Sequence, residues 1–251
     1  MIDPLLLTAA RIGTFYGKQP LTNASGFFFE REGRLWVVTS RHVFVDEPGK
    51  HHPDRIELEI HTQAGDLAKS TGFGMPLYAQ GKSLWRQGKD DGGEIDVAML
   101  EIDRHALPAT VDLRAFTPEH LQRDTDKVPA GQAILILGFP LGFHDTLHHL
   151  PVVRQAVVAS AYGLRFQGQG YFLTDARTHR GTSGAAVVMQ APGPADQRGE
   201  LPWKLLGVHS ARMDLSSRDR AQDESLGLNL AWYADILMTL SSDRLLPAAK
   251  A

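Results

Sequence analysis

TDARTHRGTSGAAVV, residues 174–188, decides how the rest of the chain is read. Ser183 stands between two glycines, Gly181 and Gly184, and an apolar run with strand composition follows it. A glycine two residues before a serine keeps the backbone open, so that N–H groups can converge on one point. Gly184 lets the following strand pack close behind the serine. A serine hydroxyl is a poor nucleophile near neutral pH and needs a neighbouring base. Two upstream stretches supply one. LWVVTSRHVF, residues 35–44, is a strand running into Ser40-Arg41-His42, and EIDVAMLEI, residues 94–102, places Asp96 just before an apolar strand. Histidine suits the base because its pKa lies near working pH. A buried carboxylate fixes its tautomer and stabilises the imidazolium that forms. Asp90, Asp91 and Asp103 are rivals to Asp96, but the first two lie in a Lys/Gly loop and the third follows the strand.

Composition narrows the alternatives. The 251 residues are 43% hydrophobic and 22% charged, with formal net charge -3. That length allows one large domain or two small ones, and nothing in the charge asks for a nucleic-acid partner. There are no cysteines, which excludes disulfides, thiolate metal sites and a cysteine nucleophile. Met1-Ile2-Asp3-Pro4 carries an acid where an export signal would carry Lys or Arg, and the apolar run 5–7 is short. No stretch reaches transmembrane length. The expected location is cytoplasmic, with no membrane association.

Short strands separated by turns dominate. Expected strands cover 10–15, 26–30, 35–39, 55–61, 95–102, 133–138, 152–161, 170–174, 185–189 and 205–209, with a hairpin turn at 31–34. Residues 17–23 and most of 62–93 read as loops, the latter around a short strand near 76–80. Residues 118–123 have a short helical pattern. Residues 190–202 and 213–224 are polar loops. Residues 229–240 read as a long helix, with Leu230, Tyr233, Ala234 and Leu237 on one face. Such a series of strands points to a barrel or sandwich, and the lack of strand–helix alternation argues against an α/β-hydrolase.

Taken together, TSRHV, DVAML and RGTSGAAV in the order His, Asp, Ser resemble the chymotrypsin/trypsin-like serine peptidases, especially the bacterial HtrA-like branch. TDA nine residues before Ser183 and GFPLG at 138–142 strengthen the likeness, which runs from about residue 10 to 240. The resemblance implies an all-β fold of two six-stranded antiparallel barrels with a C-terminal helix. The N-terminal barrel, 1–112, would carry His42 and Asp96. A linker, 113–128, would lead to the C-terminal barrel, 129–251, carrying Ser183. It implies a serine endopeptidase with His42 as general base, Asp96 as its orienting partner and Ser183 as nucleophile. The N–H groups of Gly181 and Ser183 would form the oxyanion hole, and no cofactor or metal is implied. Thr182 replaces the aspartate that pairs with a newly cut N-terminus in animal enzymes, so activation by such a cut is not expected. Given the short stretch after Leu240, no PDZ domain is expected.

The same resemblance assigns the primary pocket to the residues before Ser183 and to the strand around 205–212. Arg177 occupies the position where lysine- and arginine-cleaving enzymes carry an acid. His209 falls where glutamyl endopeptidases carry a pocket histidine, Thr178 adds a hydroxyl, and Ser210 is counted with the substrate-binding residues. Cleavage after Glu or Asp is the expectation. Arg177, Arg180 and Arg212 would form a positive rim. His144 and His148 invite a metal reading, but no acidic third ligand is evident. An esterase is disfavoured because Ala185 replaces the last glycine of its elbow. A binding module on an inactive fold is a further alternative. So is a latent enzyme whose loops at 143–151 or 213–224 await a regulatory partner.

Overall fold

Strands β1 (Ala9–Tyr16), β2 (Gln19–Arg31) and β3 (Arg34–Thr39) form a meander. The β2–β3 turn is Glu32-Gly33, both at positive φ (53° and 78°), the two-residue turn whose twist matches antiparallel strands. The computed structural model describes residues 2–123, 127–192, 200–212 and 227–243. After β3 come the single turn α1 (Arg41–Phe44), β4 (Arg55–His61), β5 (Ser70–Pro76), a small hairpin of β6 (Tyr78–Ala79) and β7 (Lys82–Ser83), then β8 (Trp85–Asp90) and β9 (Gly93–Ile102). Seven of these strands make one antiparallel sheet in the order β5-β4-β1-β2-β3-β9-β8. The second half holds β10 (Ala133–Gly138), β11 (Val152–Val158), β12 (Tyr171–Asp175), β13 (Ala186–Gln190), β14 (Trp203–Arg212) and β15 (Leu228–Tyr233), which close into a six-stranded barrel.

Strand alternation explains how the halves join. In Phe27-Phe28-Phe29 the middle ring enters the core of the first half, with Leu35, Val37 and Leu100. Phe27 and Phe29 point the other way, into a core shared with Leu137, Val188, Leu205 and Trp232 of the second half. Residues 27–29 of β2, 35–38 of β3 and 97–100 of β9 are therefore buried on both faces, which is why these stretches read as continuous apolar runs. A further cluster, including Ile136, Phe172 and Leu206, fills the closed barrel. Trp36, 1% exposed, is stacked by Arg34 and Arg86, each 4.6 Å from its ring. Arg86 also donates to Leu240 O (2.9 Å) and Ser242 O (2.6 Å) and Arg31 to Met238 O (2.8 Å). These carbonyls lie at the C-terminal end of α2 (Ile236–Leu240), where they lack helical partners, so first-half arginines tie the last helix down.

Several expectations are corrected. The long helix at 229–240 is strand β15 followed by a helix of only five residues. β15 closes the barrel between β12 and β14. Its short apolar run fits either period, and pairing settles it. Residues 19–23 belong to β2, and 62–93 contains β5 and β8. Both strands are sheet edges, covered on few sides, and so carry too little apolar sequence to be recognised. The first half has nine strands, seven of them in one sheet and two in the small hairpin, where a barrel of six was expected. The expected helical turn at 118–123 is a 3-10 turn, Pro118–His120. Among the described residues no helix is long and apolar enough to cross a membrane.

Candidate active site

β3 ends at Thr39, and α1 turns the chain so that His42 faces β9. Asp96 is the fourth residue of β9. Its Oδ1 accepts from the His42 backbone N–H (2.8 Å) and its Oδ2 lies 2.7 Å from His42 Nδ1. A carboxylate only accepts, so the imidazole proton sits on Nδ1 and Nε2 carries the lone pair. Ser210 Oγ also donates to Asp96 Oδ2. Burial opposes charging of His42, but the hydrogen bond and charge of Asp96, helped by Asp46, outweigh it and raise the pKa above 6.5. The rivals of Asp96 are engaged or placed elsewhere. Asp90 pairs with Arg165, Asp103 caps a turn at His105 N, and Asp91 is exposed.

Ser183 lies in the loop before β13. The carbonyls of this loop are accounted for one by one. Arg180 O accepts from Leu141 N–H (2.6 Å), Gly181 O from Ser25 Oγ (2.7 Å), Thr182 O from Ala185 N–H (3.0 Å) and Ser183 O from Ser25 N–H (3.0 Å). Thr182 N–H donates to His179 O and Gly184 N–H to His209 O. The N–H groups of Gly181 and Ser183 have no acceptor among the described residues. Gly181 has φ +88°, and a Cβ there would meet Phe139 O at 2.7 Å. Gly184 has φ +85°, and a Cβ would meet Ser25 O and Thr39 Oγ1, each at 2.2 Å. His209 O also accepts from Ser40 Oγ (3.1 Å). The loop of Ser183 is thereby bonded to the segment that delivers His42.

A match to a family model follows this geometry: the trypsin-like peptidase domain, over residues 24–192. The chain belongs to the trypsin-like peptidase family. No curated protein sequence matches it. Among solved structures, the serine endoprotease from Yersinia pestis is similar, with TM-score 0.54 and 16% identity over 93% of this chain. The chain spans 61% of the length of that structure. The likeness places this trypsin-like peptidase domain in the chymotrypsin-like double-barrel fold.

The residues assigned to the pocket part ways. His209 is 2% exposed and its Nδ1 has no hydrogen-bond partner. Burial, and then the charge of His42, push its pKa down to about 4, so the ring is neutral. Thr178, 5% exposed, donates its hydroxyl to Asn229 Oδ1. Asn229 Nδ2 in turn donates to Ala176 O (2.7 Å) and Gly227 O (3.1 Å). Ser210, counted with the substrate-binding residues, donates its hydroxyl to Asp96 Oδ2. The β14–β15 register breaks between His209 and Arg212, on either side of Ser210. Arg177 and Arg180 are exposed, and the side chain of Arg212 lies outside the described residues.

Of the two loops offered for regulation, 213–224 lies outside the described residues. The other is anchored: Asp145 and Leu150 bridge, and His61 Nε2 contacts His148 O (2.7 Å). His144 and His148 do not share a helical face. His144 Nδ1 contacts Gly142 O (2.7 Å), while His148 Nδ1 pairs with Asp145 (2.7 Å). The sequence reading missed Ser25 and Asn229. The small pair Ser25-Gly26 inside an apolar strand was a signal for close backbone approach. Asn229 carries none, since the helical stripe over 229–240 conceals its place on a strand.

Proposed function

We propose that this chain is a serine endopeptidase acting on peptides or proteins without a cofactor. The observation that carries the reading is the grip of Asp96 on both the backbone N–H and Nδ1 of His42, which leaves Nε2 as a base. Ser183 Oγ adds to the scissile carbonyl carbon as its proton passes to His42 Nε2. The oxyanion accepts from the N–H groups of Gly181 and Ser183. Collapse breaks the C–N bond, and His42 returns the proton to the leaving nitrogen. Water then repeats the sequence on the acyl-enzyme and frees Ser183. No hydrogen bond joins His42 to Ser183 Oγ in the resting protein, and such contacts commonly tighten only with substrate bound. The division into a barrel at 1–112, a linker at 113–128 and a barrel at 129–251 belongs to this reading. A fluorophosphonate probe should label the native protein at Ser183 and leave Ser183→Ala unlabelled. A folded sample that resists the probe would overturn the peptidase reading and favour a binding module.

The primary pocket favours Glu or Asp in this reading. A buried imidazole nitrogen without a partner is costly, and a substrate carboxylate would supply the partner for His209. Because His209 is neutral at rest, seating a carboxylate takes up a proton. Peptides with Glu at the cleaved position should therefore have a higher kcat/KM than matched Gln peptides, by about tenfold at pH 6 for one charge-assisted hydrogen bond. The ratio should shrink towards pH 9. A ratio near one at every pH, or one unaffected by His209→Val, would sink the preference.

A further inference from the structure

Ser25 belongs to the first half of the molecule, yet it touches the loop of Ser183 twice. Its Oγ donates to Gly181 O (2.7 Å) and accepts from Phe139 N–H (2.8 Å), while its N–H donates to Ser183 O (3.0 Å). Its own carbonyl accepts from Thr39 Oγ1 (2.7 Å). The hydroxyl is thus spent in both directions, one proton given and one received. The side chain is packed so closely that a Cβ on Gly138 would come within 2.5 Å of Ser25 Oγ.

The consequence follows from peptide geometry. In a trans peptide the C=O and N–H point in opposite directions, so fixing a carbonyl aims the next amide. Holding Gly181 O against Ser25 sends Thr182 N–H towards His179 O. This pins the peptide between the two amides that have no acceptor. On one side, Leu141 N–H holds Arg180 O and so aims Gly181 N–H away from Leu141. Leu141 reaches that carbonyl from a left-handed backbone, φ 55°, with its side chain 70% exposed. Such a conformation is costly for leucine and marks a position held by its surroundings. Phe139 N–H, bonded to Ser25 Oγ, belongs to the same segment. One hydroxyl therefore ties together the Gly181–Thr182 peptide and the segment that restrains the peptide before it.

We propose that Ser25 is a positioning residue that keeps the Gly181 and Ser183 amides aimed at the developing oxyanion, making the hole a product of contact between the two halves. The proposal rests on the peptidase reading above. Without the hydroxyl, Gly181 O and Phe139 N–H both lose a buried partner. Glycine at 181 imposes no side-chain barrier to rotation, so the Arg180–Gly181 peptide can turn and present a carbonyl to the hole.

The test compares the full chain with Ser25→Ala by steady-state kinetics, peptide-aldehyde inhibition and crystal structure. Removing a donor outright costs about a hundred- to a thousandfold in kcat, so misaiming one should cost about ten- to a hundredfold. The expected result is that loss in kcat with KM within about twofold, a parallel weakening of the aldehyde, whose hemiacetal needs the same amides, and a turned Arg180–Gly181 peptide. Peptide binding in the Ser183→Ala background should be the same with and without Ser25→Ala. Unchanged kcat, an unturned peptide, or equal losses in kcat and peptide binding would overturn the proposal. A native chain that resists fluorophosphonate would count against the peptidase reading instead, and the crystal structures would still decide whether Ser25 sets the peptide.

Discussion

Ser183→Ala and His42→Ala should each abolish nearly all turnover, on the order of a millionfold in kcat, and the double variant should be scarcely worse than either. In the proposed mechanism the two side chains perform one step, transfer of the hydroxyl proton as the new C–O bond forms. Once either is gone the other has nothing to act on. A small residual rate should persist, because the amides of Gly181 and Ser183 and the binding cleft remain. The measurement is single-turnover hydrolysis of a peptide ester by the three variants. Losses that multiply would mean that His42 and Ser183 act in separate events, and the triad would be refuted.

Asp96→Asn should cost about ten-thousandfold at neutral pH, the scale for a triad carboxylate turned into an amide of the same shape. Asp96 carries three tasks: it accepts from the His42 backbone, from His42 Nδ1 and from Ser210 Oγ. An amide that turns its NH2 to the imidazole favours the tautomer with the lone pair on Nδ1, and Nε2 then holds the proton that it should receive. The pH profile adds a second readout. In the native protein Asp96 raises the His42 pKa above 6.5 against the opposing effect of burial. The base works when neutral, so kcat/KM should climb with pH along a limb centred above 6.5. Removal of the negative charge leaves burial and Arg41 lowering the pKa, with only Asp46 raising it. The limb of the variant should move to lower pH. A limb unmoved by Asp96→Asn would show that another group titrates.

Which parts of this arrangement can be read from a linear chain depends on the range of the forces involved. The β2–β3 hairpin was legible because turn chemistry is local: Gly33 takes φ 78° without steric cost between two apolar runs. The centre of β9, residues 97–100, was legible because a stretch buried on both faces must be apolar. β5 and β8 were not, since an edge strand is defined by a neighbour and its own side chains say little. β15 was misread as a helix because Leu230, Tyr233, Ala234 and Leu237 match a helical stripe. Pairing with β12 and β14, from distant parts of the chain, overrides that stripe.

The active site divides along the same line. Sequence alone determined the chemistry available: no cysteine, a histidine after one strand, a carboxylate before another, and a serine between glycines whose backbone only glycine tolerates. Tertiary structure decided how those groups are held. Ser210 meets Asp96 across 114 residues and Ser25 meets Gly181 across 156. Thr178 gives its hydroxyl to Asn229 rather than to the pocket. A hydroxyl has one proton and a few directions in which to spend it. Its partner is set by barrel closure and by the docking of one half on the other, and neither is written in the residues next to it.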